Sequence, residues 1–162
     1  ATGRLQIQAW LAEQGIPADA VVDVGVIPNH LVAPIIREAD VALFPNRAEG
    51  GTNLAAMESL ACGLPTILSA NTGHLDLLGD AHCYPLRHQG SVRPTPLNTC
   101  VEGWGESDLE EILAYLEQIH GDRPGAQARG QAAAQVMQDW TWERQVQRLM
   151  QHLQPFMHPS SG

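Results

Sequence analysis

The segment VALFPNRAEGGTNLAAMESLACGLPTIL, residues 41–68, constrains the fold more than any other part of the chain. Two short apolar runs, at 41–44 and 65–68, read as buried strands, and between them lies an Ala- and Leu-rich stretch patterned as a helix over 53–61. Cys62-Gly63 stops that helix, and Pro45 closes the first strand. A strand, a glycine turn, a helix and a second strand in so few residues imply a crossover connection, which lays the two strands parallel.

The rest of the chain extends this alternation. The spacing predicts a helix over 3–14, capped by Thr2 and stopped by Gly15, with Leu5, Ala9, Trp10 and Leu11 near one face. VVDV at 21–24 reads as a strand, and 29–38 as a helix whose start is blurred by Pro34. A short helix over 72–78 follows the strand at 65–68. Residues 86–101, with Gly90, Pro94 and Pro96, read as an extended loop. Ser107 and Glu110 have capping-box spacing and open a helix to His120. Helices over 126–139 and 142–153 come next, the last behind Thr141 as its cap. Trp140 and Trp142 read as core contacts of that last helix, and Trp104 as packing of the long loop onto the body rather than a ligand platform. The expected fold class is α/β: a Rossmann-like parallel sheet with flanking helices and a helical C-terminus, in one domain over 1–155 with a disordered tail at 156–162.

Charge narrows the functional classes. The formal net charge is −9, and all nine basic side chains are arginine, with no lysine. A phosphate-backbone binder needs clustered cations, so nucleic acid is not an expected partner. Three cysteines without paired short spacing argue against a disulfide framework or a zinc site, and no metal is expected. A reduced, cytoplasmic protein is the simplest reading. No apolar run approaches the roughly 18 residues of a membrane span. The chain opens without a secretory leader pattern and without Met, so it is expected to begin within a longer protein.

In a parallel α/β sheet, ligands bind where strands end and helices begin. Glu49-Gly50-Gly51-Thr52-Asn53 occupies such a place, directly after the strand at 41–44. The glycines permit close backbone approach, and the first amides of the following helix carry the positive end of its dipole. That combination suits an anionic or hydroxyl-rich ligand. Glu58 within the helix suits a diol such as a ribose, and Glu49 suits sugar hydroxyls or charge at a reacting carbon. Glycine turns also join strands to helices in proteins that bind nothing, and acids near a helix start are favoured by the dipole alone. His74 reads as a packing or helix-surface residue rather than a ligand contact. Arg47 reads as a surface or acceptor-side residue rather than a phosphate clamp.

The combined string resembles the donor-binding half of GT-B glycosyltransferases, in the large retaining family that contains sucrose synthases and bacterial mannosyltransferases. The residues that carry the resemblance are Pro45-Asn46, Glu49, Gly50-Gly51-Thr52-Asn53-Leu54, Glu58, Ala61-Cys62-Gly63-Leu64-Pro65, Ser69 and Thr72-Gly73. It runs from about residue 20 to 80 and continues weakly at Thr141-Trp142-Glu143. What it implies is a partial GT-B C-terminal domain that takes a nucleotide-diphosphate sugar as donor and needs no cofactor or metal. Glu49 would be catalytic, orienting the sugar. Gly50, Gly51, Thr52, Asn53, Leu54, Thr72 and Gly73 would line the diphosphate and sugar, and Glu58 would hold the ribose. Two departures stand out. Glu49 and Glu58 enclose eight residues where the family has seven, and Asn71-Thr72-Gly73 replaces its usual glycine pair. The family's Arg and Lys clamp has no counterpart here. The resemblance therefore implies an acceptor domain N-terminal to this chain, possible peripheral membrane association of the full enzyme, and inactivity of the isolated chain. Two alternatives are a non-catalytic Rossmann-like binding module and a GT-B-type sugar-nucleotide epimerase.

Overall fold

A computed structural model describes the backbone of residues 2–157, and the side chains over that span except those of 2–6, 8 and 157. The chain divides into two compact units, residues 1–32 and 33–162.

The first unit opens with α1 (Thr2–Glu13). Gly15, at φ +68°, ends it where expected, and Ile16 N–H donates back to the Leu11 carbonyl at 2.9 Å. Leu11 is buried, whereas Trp10 is exposed; Leu5 and the residue before Thr2 lie outside the described side chains. Thr2 is the first helical residue rather than its cap. The expected strand at 21–24 is absent. Asp23 accepts from Gly25 N–H at 2.8 Å and turns the chain there, and no described strand runs beside it. Val22 is accordingly 84% exposed. A lone extended segment has nowhere to send its backbone hydrogen bonds but water. Helix α2 (Asn29–Ile36) follows, with Pro34 inside it.

The second unit is the α/β layer. Strands β1 (Ala42–Phe44), β2 (Thr66–Ser69) and β3 (Tyr84–Leu86) form a parallel sheet in the order β1-β2-β3. Leu43 stands opposite Ile67, and Leu68 opposite Pro85. Helix α3 (Leu54–Ala61) makes the β1-to-β2 crossover. Alternate residues of β2 face opposite ways: Leu68 joins Ala56, Leu60, Leu77, Ala133 and Met137 on one face, and Ile67 joins Tyr84, Leu86, Ile119 and Ala126 on the other. Both are fully buried. Helices therefore cover both faces, as a parallel sheet requires.

Strand β3 was not expected from the sequence, where Pro85 argues against it. It forms because β3 is an edge strand, where a missing N–H costs no ladder bond. The expected loop over 86–101 is also partly structured. Strands β4 (Gln89–Ser91) and β5 (Gly105–Ser107) pair antiparallel as a separate two-stranded ribbon. Ser107 belongs to that ribbon and receives Gln89 Nε2 at 3.0 Å, so it does not cap the next helix. Asp108 does, accepting from Glu111 N–H at 3.0 Å at the start of α4 (Leu109–Gly121). Glu111 in turn accepts the backbone N–H groups of Arg87 and His88 at 3.1 and 2.9 Å.

Helix α5 (Arg123–Met137) begins three residues before its expected start because Asp122 caps it, with Pro124 in the first turn. It presses against the turn after α3 so closely that a Cβ on Gly130 would overlap the Gly63 carbonyl. Helix α6 (Trp142–Met157) runs past the expected end at 153 and takes in Phe156 and Met157; the rest of the predicted tail lies outside the described residues. Trp140 packs onto the core as expected. Trp142 does not: it is 87% exposed, on the same helix as exposed Val146, Leu149, Leu153 and Phe156.

Candidate functional site

The C-terminal ends of β1 and β2 each feed a turn, and the two turns interlock. After β1 the chain runs through Asn46 to Asn53; after β2 it runs through Asn71 into a 3-10 helix, Thr72–Leu77. Glu49 N–H donates to Thr72 Oγ1 at 2.7 Å, and Gly73 N–H donates to the Glu49 carbonyl at 3.2 Å. Thr72 Oγ1 also donates to Asn71 Oδ1 at 3.0 Å. Gly73 is required at this contact, because a Cβ there would collide with the Gly51 carbonyl. Thr72, Gly73, Glu49, Gly50 and Gly51 are thus brought together as one assembly.

A buried polar network sits beneath them. Ser69 Oγ donates to the Asn46 carbonyl at 2.8 Å, and Asn71 Nδ2 donates to the same carbonyl at 2.9 Å. Asn71 also reaches Gln89 Oε1 at 2.9 Å and the Gly105 carbonyl at 3.3 Å, tying the ribbon to the sheet. His74 is fully buried. Its Nε2 lies 2.9 Å from Asn53 Nδ2, and its Nδ1 lies 2.9 Å from Ser69 Oγ and 3.2 Å from the Ser69 carbonyl.

The N-cap decides the protonation of this ring. Asn53 Oδ1 accepts from Ala56 N–H at 3.1 Å, which satisfies one first-turn amide of α3. The amide nitrogen of Asn53 then faces His74, so Nε2 must accept and the proton resides on Nδ1. A neutral imidazole fits its surroundings: burial pushes the His74 pKa below 6.5, against the opposing pull of the Ser69 backbone and the Glu49 charge. Asn53 holds φ +62° and Thr72 φ +40°, the left-handed region that residues other than glycine seldom adopt. Both strained positions lie in the interlocked turns.

The remaining sequence candidates fall as follows. Leu54 opens α3 and is 74% exposed. Thr52 donates to Met57 Sδ at 3.2 Å. Glu49 is half-buried, with Asn46 Nδ2 3.3 Å from its Oε2. Glu58 lies further along α3, exposed. Arg47 is ion-paired with Glu106 of β5. A shallow depression of about 510 Å³ opens beside Glu49, lined among others by Asn46, Gly50, Thr72 and Trp104. Sequence reasoning missed the roles of Asn46, Asn71 and Gln89, and it did not foresee the depth of His74. No buried side-chain nitrogen or oxygen among the described residues lacks a partner.

A second cavity, of about 340 Å³, lies at the other end of the strands, beside Val41 and Pro65. It is the better-enclosed hollow. Chemistry favours the strand C-termini instead, where glycines, the first amides of α3 and the Glu49 carboxylate meet.

The family described as Family 4 Glycosyltransferase in conflict systems matches residues 30–149. The chain belongs to this family. Among curated proteins none matches. Among solved structures, a sucrose-phosphate synthase from Thermosynechococcus elongatus aligns with a TM-score of 0.69 and 21% identity, over 97% of this chain and 35% of that one. At that identity the likeness is one of fold, and the fold is GT-B-like. The chain spans about a third of the synthase's length. The family relationship supports a sugar-transferase type of function, and the matched segment contains the whole interlocked assembly. None of the described helices is long and apolar enough to cross a membrane.

Proposed function

We propose that this chain forms the donor site of a retaining glycosyltransferase, which takes a sugar from a nucleotide-diphosphate sugar and passes it to an acceptor hydroxyl. The observation that carries the reading is the interlocked pair of turns at the C-terminal edge of the sheet. There the Gly50-Gly51 backbone and the start of α3 are held open to solvent by contacts from Thr72, Gly73 and His74. The amides from Gly50 to Leu54 face the diphosphate and sugar, Glu49 orients the sugar, and Glu58 accepts from the ribose hydroxyls.

Departure of a diphosphate concentrates negative charge, and catalysis needs cations or oriented donors against it. Arg47 pairs with Glu106 at an exposed position, and the turn offers no other cation. On this reading the clamp comes from a part of the donor-binding domain outside this chain and the acceptor site from a second domain, and this chain alone binds donor without turning it over. The same pairing of Arg47 favours a second reading, a binding module that has kept the fold without the chemistry. Sugar transfer by the full-length protein excludes that module.

Calorimetric titration with UDP, GDP and ADP tests the site. One of the three binds, and Glu58→Ala weakens it about tenfold, the loss of a hydrogen bond to a charged acceptor. Unchanged affinity in Glu58→Ala removes the ribose role.

A further inference from the structure

The ribbon β4–β5 brings an aromatic side chain to the depression beside Glu49. Trp104 immediately precedes β5 and is half-buried. Three contacts on its C-terminal side fasten it there. Gly105 N–H donates to the Arg47 carbonyl at 2.9 Å, the Gly105 carbonyl accepts from Asn71 Nδ2 at 3.3 Å, and Glu106 pairs with Arg47. On the other side, Trp104 N–H donates to the Val101 carbonyl at 3.1 Å. The backbone that carries the indole is therefore fastened on both sides, and Trp104 lines the depression from there.

The chemistry of this depression differs from that of the amide-rich α3 start. Its one cation, Arg47, is paired, so a diphosphate would have to compete with Glu106 for it. What it offers is a flat apolar face, a carboxylate with one oxygen beyond its Asn46 contact, and backbone polar groups. A pyranose ring needs that combination: its axial C–H groups make an apolar face, and its hydroxyls need acceptors.

We propose that Trp104 and Glu49 form a subsite for a neutral pyranose ring, with the indole stacked on the ring's C–H face and the carboxylate accepting from its hydroxyls. The subsite rests on the donor reading above, since the donor supplies such a ring; a sugar acceptor supplies the same chemistry.

The Trp104 indole N–H signal, assigned in the nitrogen-15 spectrum of the full chain by its loss in Trp104→Phe, reads the subsite directly. The chain is titrated with UDP, GDP and ADP, with their glucose and mannose conjugates, and with methyl glucoside and methyl mannoside. The expected result is a shift of the indole signal by a sugar conjugate. Trp104→Ala and Glu49→Gln each weaken that conjugate about fivefold and leave the free nucleoside diphosphate within about twofold. If the methyl glycosides shift the signal while no nucleotide binds, the subsite stands, its sugar comes from the acceptor, and the donor reading fails. Equal weakening of free nucleotide and conjugate by Trp104→Ala means the indole stacks on the base and overturns the proposal. So does a signal that neither conjugates nor glycosides move. Should Trp104→Ala not fold, Glu49→Gln and the wild-type titration decide between these outcomes.

Discussion

The two ends of the three-stranded sheet are built on different principles. At the N-terminal end, α5 meets the turn after α3 backbone to backbone at Gly130 and Gly63, beside the cavity lined by buried Leu64, Pro65 and Ile119. Its charged pair, Arg123 with Asp40 at 3.2 Å, is exposed. At the C-terminal end, four polar side chains, those of Ser69, Asn71, His74 and Asn53, are locked together with the Asn46 backbone carbonyl under a turn that carries strained backbone. Packing suffices to hold a fold together. A buried polar network is costlier to build and specifies one arrangement of the atoms above it. The difference teaches where this chain needs geometry as well as stability.

The sharpest way to break the contrast is His74→Ala. It leaves Asn53 Nδ2 and the Ser69 hydroxyl short of a partner and opens a hole, so urea denaturation should show a loss of about 3 kcal/mol. A loss below about 1 kcal/mol means the network is not what holds the turn. Gly130→Ala challenges the opposite end. The added methyl forces α5 off Gly63, which should cost about 2 kcal/mol while nucleotide affinity stays unchanged. A large loss of affinity in this variant means the two ends are coupled.

Proton linkage sharpens the contrast without such disruption. Burial lowers the His74 pKa below 6.5, so between that value and the folded one the unfolded chain holds the extra proton. The stabilisation by neutral His74 is complete above about pH 6.5 and is lost as pH falls through the folded pKa. The difference in urea midpoint between wild type and His74→Gln should shrink over that range. A difference independent of pH removes the neutral ring from the account. The smallest effect is expected from Arg123→Ala, whose exposed ion pair contributes within about 0.5 kcal/mol and touches no ligand group. A larger loss of stability would show that the N-terminal end also relies on polar contacts.

Legibility in the sequence followed burial and charge. Strands β1 and β2 were readable because both are apolar runs bounded by proline, and α3 because its start and stop are marked. Strand β3 was hidden by Pro85. The ribbon was hidden because QGS and GES have no apolar alternation; backbone pairing and Gln89 hold it. At the site, the acids and glycines were visible because their chemistry is local. The network was not: Ser69 and Asn71 reach the Asn46 carbonyl across 23 and 25 positions, and uncharged polar side chains carry no spacing signal. The strand misread at 21–24 erred the other way, since local β-propensity counted for nothing without a neighbour.

The thiols are sorted by depth. Cys83 is buried, with its pKa pushed up by burial, Cys62 is half-buried, and Cys100 is exposed in the segment between β4 and β5. A maleimide dye added at neutral pH will therefore react first at Cys100, four positions before Trp104. The native chain carries its own attachment point for a fluorophore on the segment that walls the depression, so occupancy there becomes an optical signal without any engineered residue.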